Sequence, residues 1–209
     1  MNKQDIFNFN FENNTNELNF YINSTNKEAF NGILNSIDNK IFLNGPAKSG
    51  KSYLGNLWSK KFNSVFFDNN FDFIINNKTN VFIDNIEDYE NEEEIFHIIN
   101  HCSLNNLSLL ITSRMQINEL IIDLKDLKSR ISSFTYLRIF KPDDDMLLNI
   151  LTKLFIEKQF IINSHEVFNY IIKHADRSYE DIFYIVKKLD ALSLEKKRQL
   201  TIPLIKEIL

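Results

Sequence analysis

The octet GPAKSGKS at residues 45–52 constrains the fold of this chain more than any other segment. It fits the pattern G-x-x-x-x-G-K-[ST] through Gly45, Gly50, Lys51 and Ser52. Turns that glycine permits expose backbone N–H groups to phosphate oxygens, and the N-terminus of a following helix adds its dipole. Lys51 supplies a charge for the β- and γ-phosphates, and the Ser52 hydroxyl can ligate Mg²⁺. The octet therefore predicts a nucleotide site between a strand and a helix. The alternative is an ordinary strand–helix turn, which leaves Lys51 unexplained.

Short apolar segments alternate with helical ones around and after this loop, which is typical of a doubly wound, parallel α/β sheet of the αβα sandwich type. In such sheets ligands bind at the carboxyl ends of the strands, where Asp84, Thr112 and Ser113 also lie. Strands are predicted at residues 40–44, 64–68, 80–84, 107–112 and 135–140, and helices at 24–37, 53–61, 92–104 and 126–133.

The pattern becomes wholly helical after Lys141-Pro142-Asp143. Pro142 can open a helix, and the acids after it suit its first turn. Helices are predicted at 146–159, 163–173, 178–192 and 201–209, with Asn163 and Ser178 as caps. We expect three regions: a tail at 1–20, an α/β base at 21–141 and a helical lid at 142–209.

The composition excludes several classes of protein. The net charge of −4 argues against coating nucleic acid by electrostatics alone. The single cysteine, Cys102, excludes an internal disulfide and suits a reducing compartment. No apolar run has membrane-spanning length and the N-terminus lacks the apolar core of a signal peptide. The sequence predicts a cytoplasmic protein without a membrane partner.

Polar residues at two strand ends are candidates for catalysis. Asp84 ends the segment VFID and can hold Mg²⁺, although it could also simply be a helix-capping Asp after a strand. The next residue is Asn85, which cannot accept a proton from water. We therefore expect weak hydrolysis unless Glu87 substitutes. Thr112 and Ser113 could bond the γ-phosphate or simply begin a turn.

Two arginines and two histidines leave alternatives open. Arg130 could pair with an acid on its own surface or act as an arginine finger on a neighbouring protein. Arg177 could reach phosphate from the lid or remain solvated. His97 and His101 have helical spacing, but the sequence has no further zinc-ligand pattern around them.

These motifs and their order resemble the AAA+ ATPases, and within them the DnaA-related proteins of the Hda family. The resemblance covers nearly the whole chain and is carried by the segments FYINSTNKEAF (20–30), GPAKSGKS (45–52), VFIDNIE (81–87), LLITSR (109–114), LKDLKSRI (124–131) and IFKPDDDMLLNIL (139–151). DnaA has a longer N-terminal region and a C-terminal DNA-binding domain. Both are missing here, which favours the shorter regulatory relatives, without sequence-specific DNA binding.

The resemblance implies the site residues. ADP or ATP with Mg²⁺ would be held by Asn26, Tyr53, Arg177 and the loop residues Gly45, Pro46, Ala47, Lys48, Ser49, Gly50, Lys51 and Ser52. Ser52 and Asp84 would face the metal. Glu180, not an arginine, occupies the usual lid-sensor position, so recognition of the γ-phosphate by the lid is in doubt.

The resemblance also implies the partners. Arg130 would act in trans on ATP held by DnaA, and a homo-oligomer is compatible with it. Gln4, Ile6, Phe7 and Phe9 form a segment similar to the peptide that binds the DNA polymerase III β sliding clamp. Two other functions stay open: an ATPase that loads or remodels a replication protein such as a helicase, and an interaction module with a vestigial loop.

Overall fold

The computed structural model describes residues 20–35, 37–160, 166–196 and 200–209. Its contacts divide the chain into two units, one spanning Ile22–Pro142 and the other Asp143–Leu209 together with Phe20 and Tyr21. The first unit is a parallel sheet with helices and the second is helical. This confirms the predicted fold class.

The α/β unit is built on a five-stranded sheet within the described residues, in the order β2-β3-β4-β1-β5 with every neighbouring pair parallel. Each β-to-β connection runs through helical segments, as parallel pairing requires. The elements in chain order are α1 (Lys27–Asn35), β1 (Lys40–Asn44), α2 (Lys51–Phe62), β2 (Ser64–Phe66), α3 (Phe71–Asn76), β3 (Asn80–Ile83), a 3₁₀ turn (Ile86–Asp88), α4 (Glu92–Leu104), β4 (Leu109–Ser113), α5 (Lys125–Ser132) and β5 (Thr135–Arg138).

The central strands are almost continuously buried, because helices cover both faces of a parallel sheet. All five residues of β4 are buried, as are Ile41–Asn44 of β1. Helix α2 lies very close to β3: a Cβ atom at Gly55 would stand 2.0 Å from Phe82 Cζ. Glycine at position 55 is therefore what allows the helix after the loop to approach the sheet.

The predicted element bounds were partly right. Strand β1 and helix α4 have the predicted bounds, whereas α2 begins at Lys51 instead of residue 53 and β4 ends one residue later, at Ser113. Helix α1 ends at Asn35, and Ile37, predicted to be helical and apolar-facing, is 97% exposed. Helix α3 was not predicted, because only Ile74 of this short segment is fully buried.

The second unit consists of α6 (Asp144–Glu157), α7 (Glu166–His174), α8 (Tyr179–Lys196) and α9 (Ile202–Ile205), packed around aliphatic and aromatic side chains. Pro142 does not open α6. Asp143 is the cap, and its Oδ1 accepts a hydrogen bond from Met146 N at 2.8 Å. The predicted Ser178 cap is confirmed, since its Oγ accepts from Asp181 N at 3.1 Å. The predicted cap Asn163 lies outside the described residues. Within the described part of the chain, no helix is long and apolar enough to cross a membrane.

Candidate nucleotide-binding site

Strand register brings the predicted site segments to one edge of the sheet. Asn44, just before the loop, pairs with Ser113, and Ile83, just before Asp84, pairs with Ile111. The loop therefore begins beside the ends of β3 and β4. Gly45 N donates to Ser113 O at 3.1 Å, which ties the start of the loop to β4.

The loop has the backbone conformation that a phosphate cradle needs. Gly50 has φ 93° and precedes the first helical residue, and Lys48 has φ 62°. A Cβ at Gly45 would stand 3.0 Å from Ser49 Oγ and 2.9 Å from Ile139 Cβ, so a side chain at position 45 would crowd the loop. Both glycines of the motif are thus required by geometry.

Lys51 is the buried cation of the loop. It is 4% exposed, and its Nζ donates to Gly45 O at 2.8 Å and to Pro46 O at 2.9 Å. Burial lowers the pKa of Lys51, while the nearby Glu87 and Asp84 charges act in the opposite direction. Its charge is therefore held against the loop by two carbonyls and balanced by two acids.

Two features of the loop fit a bound phosphate. Ser49 Oγ is buried and has no hydrogen-bond partner among the described residues. Beside it is an open cavity of about 340 Å³. The cavity is lined by Ala47, Lys48, Ser49, Gly50, Lys51, Ser52, Asn85 and Arg114. This donor set, with backbone N–H groups, two lysines and one arginine, suits a polyphosphate.

Asp84 and Thr112 form a hydrogen-bonded pair at the ends of β3 and β4. Thr112 Oγ1 donates to Asp84 Oδ1 and accepts from Asn85 N at 2.9 Å. Thr112 is fully buried and Asp84 half-buried. Asn85 has φ 50° and lines the cavity at the position where a second acid was considered.

The Ser113 side chain bonds to the backbone of the turn that follows β4, and Ser113 does not line the cavity. Its Oγ donates to Met115 O and accepts from Met115 N, both at 2.9 Å. Asn44 supports the same turn, because its Nδ2 donates to Met115 O at 2.8 Å. The role of Asn44 was not predicted, since a polar residue at a strand end gives no sign of its partner.

Arg114 is the site residue that sequence reasoning missed. Glu87 Oε1 accepts from Arg114 N and Nε, both at 2.8 Å, and Asp88 Oδ1 accepts from Nη2 at 2.5 Å. Burial would raise the pKa of Glu87, but the hydrogen bonds from Arg114 outweigh it, and the net shift is downward. Glu87, considered as a substitute base, is thus an ionised partner of Arg114 and does not line the cavity.

Arg130 lies on α5, exposed and outside the residues that line the cavity. Its guanidinium carbon is 5.3 Å from the ring centroid of Phe96 on α4. Among the described residues, no acid forms a salt bridge with it. The pairing with an acid on its own surface, which was one predicted alternative, is therefore not seen there.

The other predicted residues have separate placements. Asn26 is buried, and its Oδ1 accepts from Asn23 N at 3.0 Å, which shapes the start of α1. Tyr53 is half-buried on α2. Arg177 belongs to the helical unit, where it contacts Asp144 at 3.2 Å, and Glu180 is exposed on α8. Gln4, Ile6, Phe7 and Phe9 lie outside the described residues.

The histidines have ordinary packing roles. His101 Nε2 lies 3.0 Å from Asn77 O, and His97 packs beside Phe71 and Phe96. Cys102 is buried, which raises the pKa of its thiol to about 12. In the part of the chain that the structure describes, no group of three or more His, Cys, Asp or Glu side chains could hold a metal.

Comparison with solved structures identifies the fold. Domain III of the Thermotoga maritima replication initiation protein DnaA superposes with a TM-score of 0.77 at 15% identity, over 92% of this chain and 94% of that one. DnaA from Aquifex aeolicus bound to AMPPCP gives 0.67 at 16% identity, over 85% and 65%. The Thermotoga maritima RuvB Holliday junction branch migration motor gives 0.61 at 15%, over 81% and 60%.

The α/β sheet with its phosphate-type loop and helical C-terminal region therefore has the fold of AAA+ type P-loop domains. Within that class, residues 144–209 match the family model described as Hda, lid domain. The chain thus resembles Hda among the DnaA-related AAA+ proteins, as its motifs predicted. It spans just under two thirds of two of the solved chains, 66% of a DNA replication initiation factor and 65% of the Aquifex aeolicus DnaA.

Proposed function

We propose that this chain is an adenine-nucleotide-binding AAA+ regulator of replication initiation in the cytoplasm. It docks on the DNA sliding clamp and stimulates hydrolysis of the ATP bound to DnaA, which switches the initiator off. The observation that carries this proposal is the position of Arg130, an exposed arginine held by one ring and placed outside its own loop cavity. An arginine so placed is available to a nucleotide on another protein.

The loop supports nucleotide binding by the chain itself. The cradle for the phosphates of ADP or ATP is formed by three features of the loop. These are Ser49 Oγ, which is unpaired among the described residues, the positive φ angles of Lys48 and Gly50, and the buried Lys51. Ser52 and Asp84 would hold Mg²⁺ through the nucleotide, and the metal would neutralise phosphate charge. A similar solved structure, DnaA from Aquifex aeolicus, is bound to AMPPCP, which supports an adenine nucleotide as the ligand.

The region around Asn85 supports slow hydrolysis at this site. In many such sites a second acid after the strand-terminal Asp polarises the attacking water, and the amide of Asn85 cannot take its proton. Glu87, the first acid after Asn85 in the sequence, is bound to Arg114. We therefore assign the nucleotide mainly a structural role, which distinguishes this protein from an active loader or motor.

Arg130 would act on the nucleotide of DnaA. In that reaction water forms a bond to the γ-phosphorus, the bond to the β–γ bridging oxygen breaks, and ADP and phosphate leave. A guanidinium placed at the γ-phosphate stabilises the charge of the transition state, and such arginines contribute about 10³ or more to the rate. Clamp docking would place Arg130 near DnaA, through Gln4, Ile6, Phe7 and Phe9.

The test is the rate of ATP hydrolysis by DnaA, measured with and without this protein and with DNA-loaded clamp. Arg130→Ala should lose nearly all stimulation and keep its nucleotide and clamp affinities. Arg138→Ala is the matched control, since Arg138 is also exposed and lies 5.3 Å from the ring of Phe140. Stimulation that survives in Arg130→Ala would refute the arginine-finger role.

The clamp segment has its own test. The double variant Phe7→Ala/Phe9→Ala should lose clamp binding in a pull-down while its affinity for ADP is unchanged. Retained clamp binding would discard this segment. Failure of the wild-type protein to retain ADP in equilibrium dialysis would favour the interaction module with a vestigial loop.

A further inference from the structure

A second cavity of the α/β unit lies apart from the phosphate loop, and we call it the apolar pocket. Its volume is about 130 Å³, and it is bounded by the 3₁₀ turn after β3, the start of α4, the connection from β4 to α5, and α5 itself. Seven of its ten lining residues are isoleucine, leucine or methionine. It has no lining residue in common with the cavity of the phosphate loop.

The lining of the apolar pocket ranges from core residues to exposed ones. Ile95 and Leu127 belong to the hydrophobic core and are each 1% exposed. Met115 and Ile121, in the connection from β4 to α5, are 42% and 89% exposed. Burial of apolar surface is favourable, so a partner that fills the pocket and covers Ile121 would be stabilised.

Hydrogen bonds hold the connection from β4 to α5 in place. The two carboxylate oxygens of Glu92 accept from Asp123 N at 3.0 Å and from Leu124 N at 2.7 Å. Lys128 Nζ donates to Leu120 O at 3.0 Å. The pocket is therefore formed before an occupant arrives, which lowers the ordering cost of binding.

An open acidic depression adjoins the apolar pocket and shares Glu92 with it. The depression is also lined by Glu90, Glu93 and Asp123, whose side chains are exposed. Among the described residues, none of these three acids forms a salt bridge. Carboxylates repel the phosphates of nucleic acid and of anionic lipids and attract lysine and arginine. The charge therefore favours a basic protein segment.

The volume of the apolar pocket limits what can enter it. An apolar cavity of about 150 Å³ in a protein holds a benzene molecule. A cavity of about 130 Å³ therefore admits one aliphatic side chain. We propose that the apolar pocket and the acidic depression together form a docking surface for a protein partner. The partner inserts one leucine-sized side chain into the pocket and places flanking lysines or arginines over the depression.

The test is binding of a short fluorescent peptide that has one leucine flanked by two lysines on each side. Its affinity is measured by fluorescence anisotropy without nucleotide, so the result is independent of the phosphate loop. A peptide with serine in place of leucine should bind about tenfold more weakly or worse, because the burial of one leucine side chain is lost. A peptide with glutamates in place of the lysines should not bind. Equal affinity of the leucine and serine peptides, or no binding of the leucine peptide, would overturn the proposal.

Variants of exposed residues locate the peptide without endangering the fold. Ile121→Ser should weaken binding of the leucine peptide several-fold. Leu104→Ser is the matched control, since Leu104 is 84% exposed and does not line the pocket. Wild-type affinity in Ile121→Ser would contradict insertion beside Ile121. Self-association of the wild-type protein in sedimentation, abolished by Ile121→Ser, would assign the surface to a second copy of the chain and also overturn the proposal.

The acidic depression is tested by its charge. The double variant Glu90→Gln/Glu93→Gln should weaken binding of the leucine peptide a few-fold at low salt and reduce its dependence on salt concentration. The control is Glu28→Gln/Glu195→Gln, at two exposed glutamates that line neither cavity. The same salt dependence in both double variants would mean that the depression does not attract the lysines, against the proposal.

Discussion

Arg114 and Arg130 belong to the same α/β unit, and their surroundings differ in kind. Arg114 is held by two carboxylates, one of them nearly buried, whereas Arg130 is exposed and packs against the ring of Phe96. Two carboxylates restrict the guanidinium of Arg114 more than one ring restricts that of Arg130, at a cost in solvation and side-chain entropy. The looser arrangement at Arg130 suits a partner that itself supplies the anion.

The largest effect in this comparison is expected at Lys51, which serves the site of the chain itself. Lys51→Ala should weaken ADP and AMPPCP alike by about a hundredfold, since it removes a charge-assisted contact to phosphates that both nucleotides possess. The measurement is equilibrium binding of ADP and of AMPPCP, and Lys60→Ala, at an exposed residue of the same helix, is the control. Loss of AMPPCP binding alone would mean that Lys51 contacts only the terminal phosphate.

The next effect concerns the Glu87–Arg114 pair and depends on pH. Glu87→Gln should lower the free energy of unfolding at pH 7 by about 1–3 kcal/mol, because a hydrogen bond between charges becomes weaker and a buried amide donor is left without a partner. The folded-state pKa of Glu87 is depressed, so its contribution is present above the unfolded-state pKa of about 4.3 and is lost as the pH falls through the folded-state value.

The measurement is urea unfolding of wild type and Glu87→Gln at pH 7 and at steps below pH 4.5. The difference between the two proteins should shrink over the acid range. Glu90→Gln, at an exposed glutamate, should show no such change. A difference that stays constant with pH would mean that the charge of Glu87 does not hold Arg114.

The sequence predicted the phosphate loop and the strand ends beside it better than it predicted the surroundings of the two arginines. The loop, Asp84 and Thr112 were predicted because their spacing along the chain and the ends of parallel strands are sufficient to bring them together. The bond of Arg114 to Glu87 joins two turns that follow different strands, and no periodicity encodes such a pair. Arg130 was identified through its family-like segment, yet its support by Phe96 depends on how α4 and α5 pack.

The same reasoning explains the errors in the fold. Strand β1 and helix α4 were predicted with their observed bounds because each has a clear apolar pattern and a sharp end. Helix α6 was predicted to start at residue 146, with Pro142 able to open a helix, but it begins at Asp144 and the side chain of Asp143 makes the capping bond. Proline is compatible with the first turn of a helix but does not fix where the helix starts. The start is fixed by the residue whose side chain makes the capping hydrogen bond, and the sequence offers several neighbouring acids that could do so.

The smallest expected effect is that of substituting Phe96, which separates the support of the Arg130 side chain from the action of its charge. Phe96→Ala keeps the charge of Arg130 but removes the aromatic ring that the guanidinium packs against. Such a cation–π contact contributes about 0.5–1 kcal/mol at an exposed position. Stimulation of DnaA hydrolysis should therefore fall only a few-fold, against the near-complete loss in Arg130→Ala, while ADP affinity is unchanged. Phe96→Leu keeps apolar contact without the aromatic face and should behave like Phe96→Ala if the ring acts through cation–π attraction. If Phe96→Leu stimulates hydrolysis as well as wild type does, Phe96 supports Arg130 by packing alone. If Phe96→Ala loses as much stimulation as Arg130→Ala, Arg130 is as strictly positioned as Arg114.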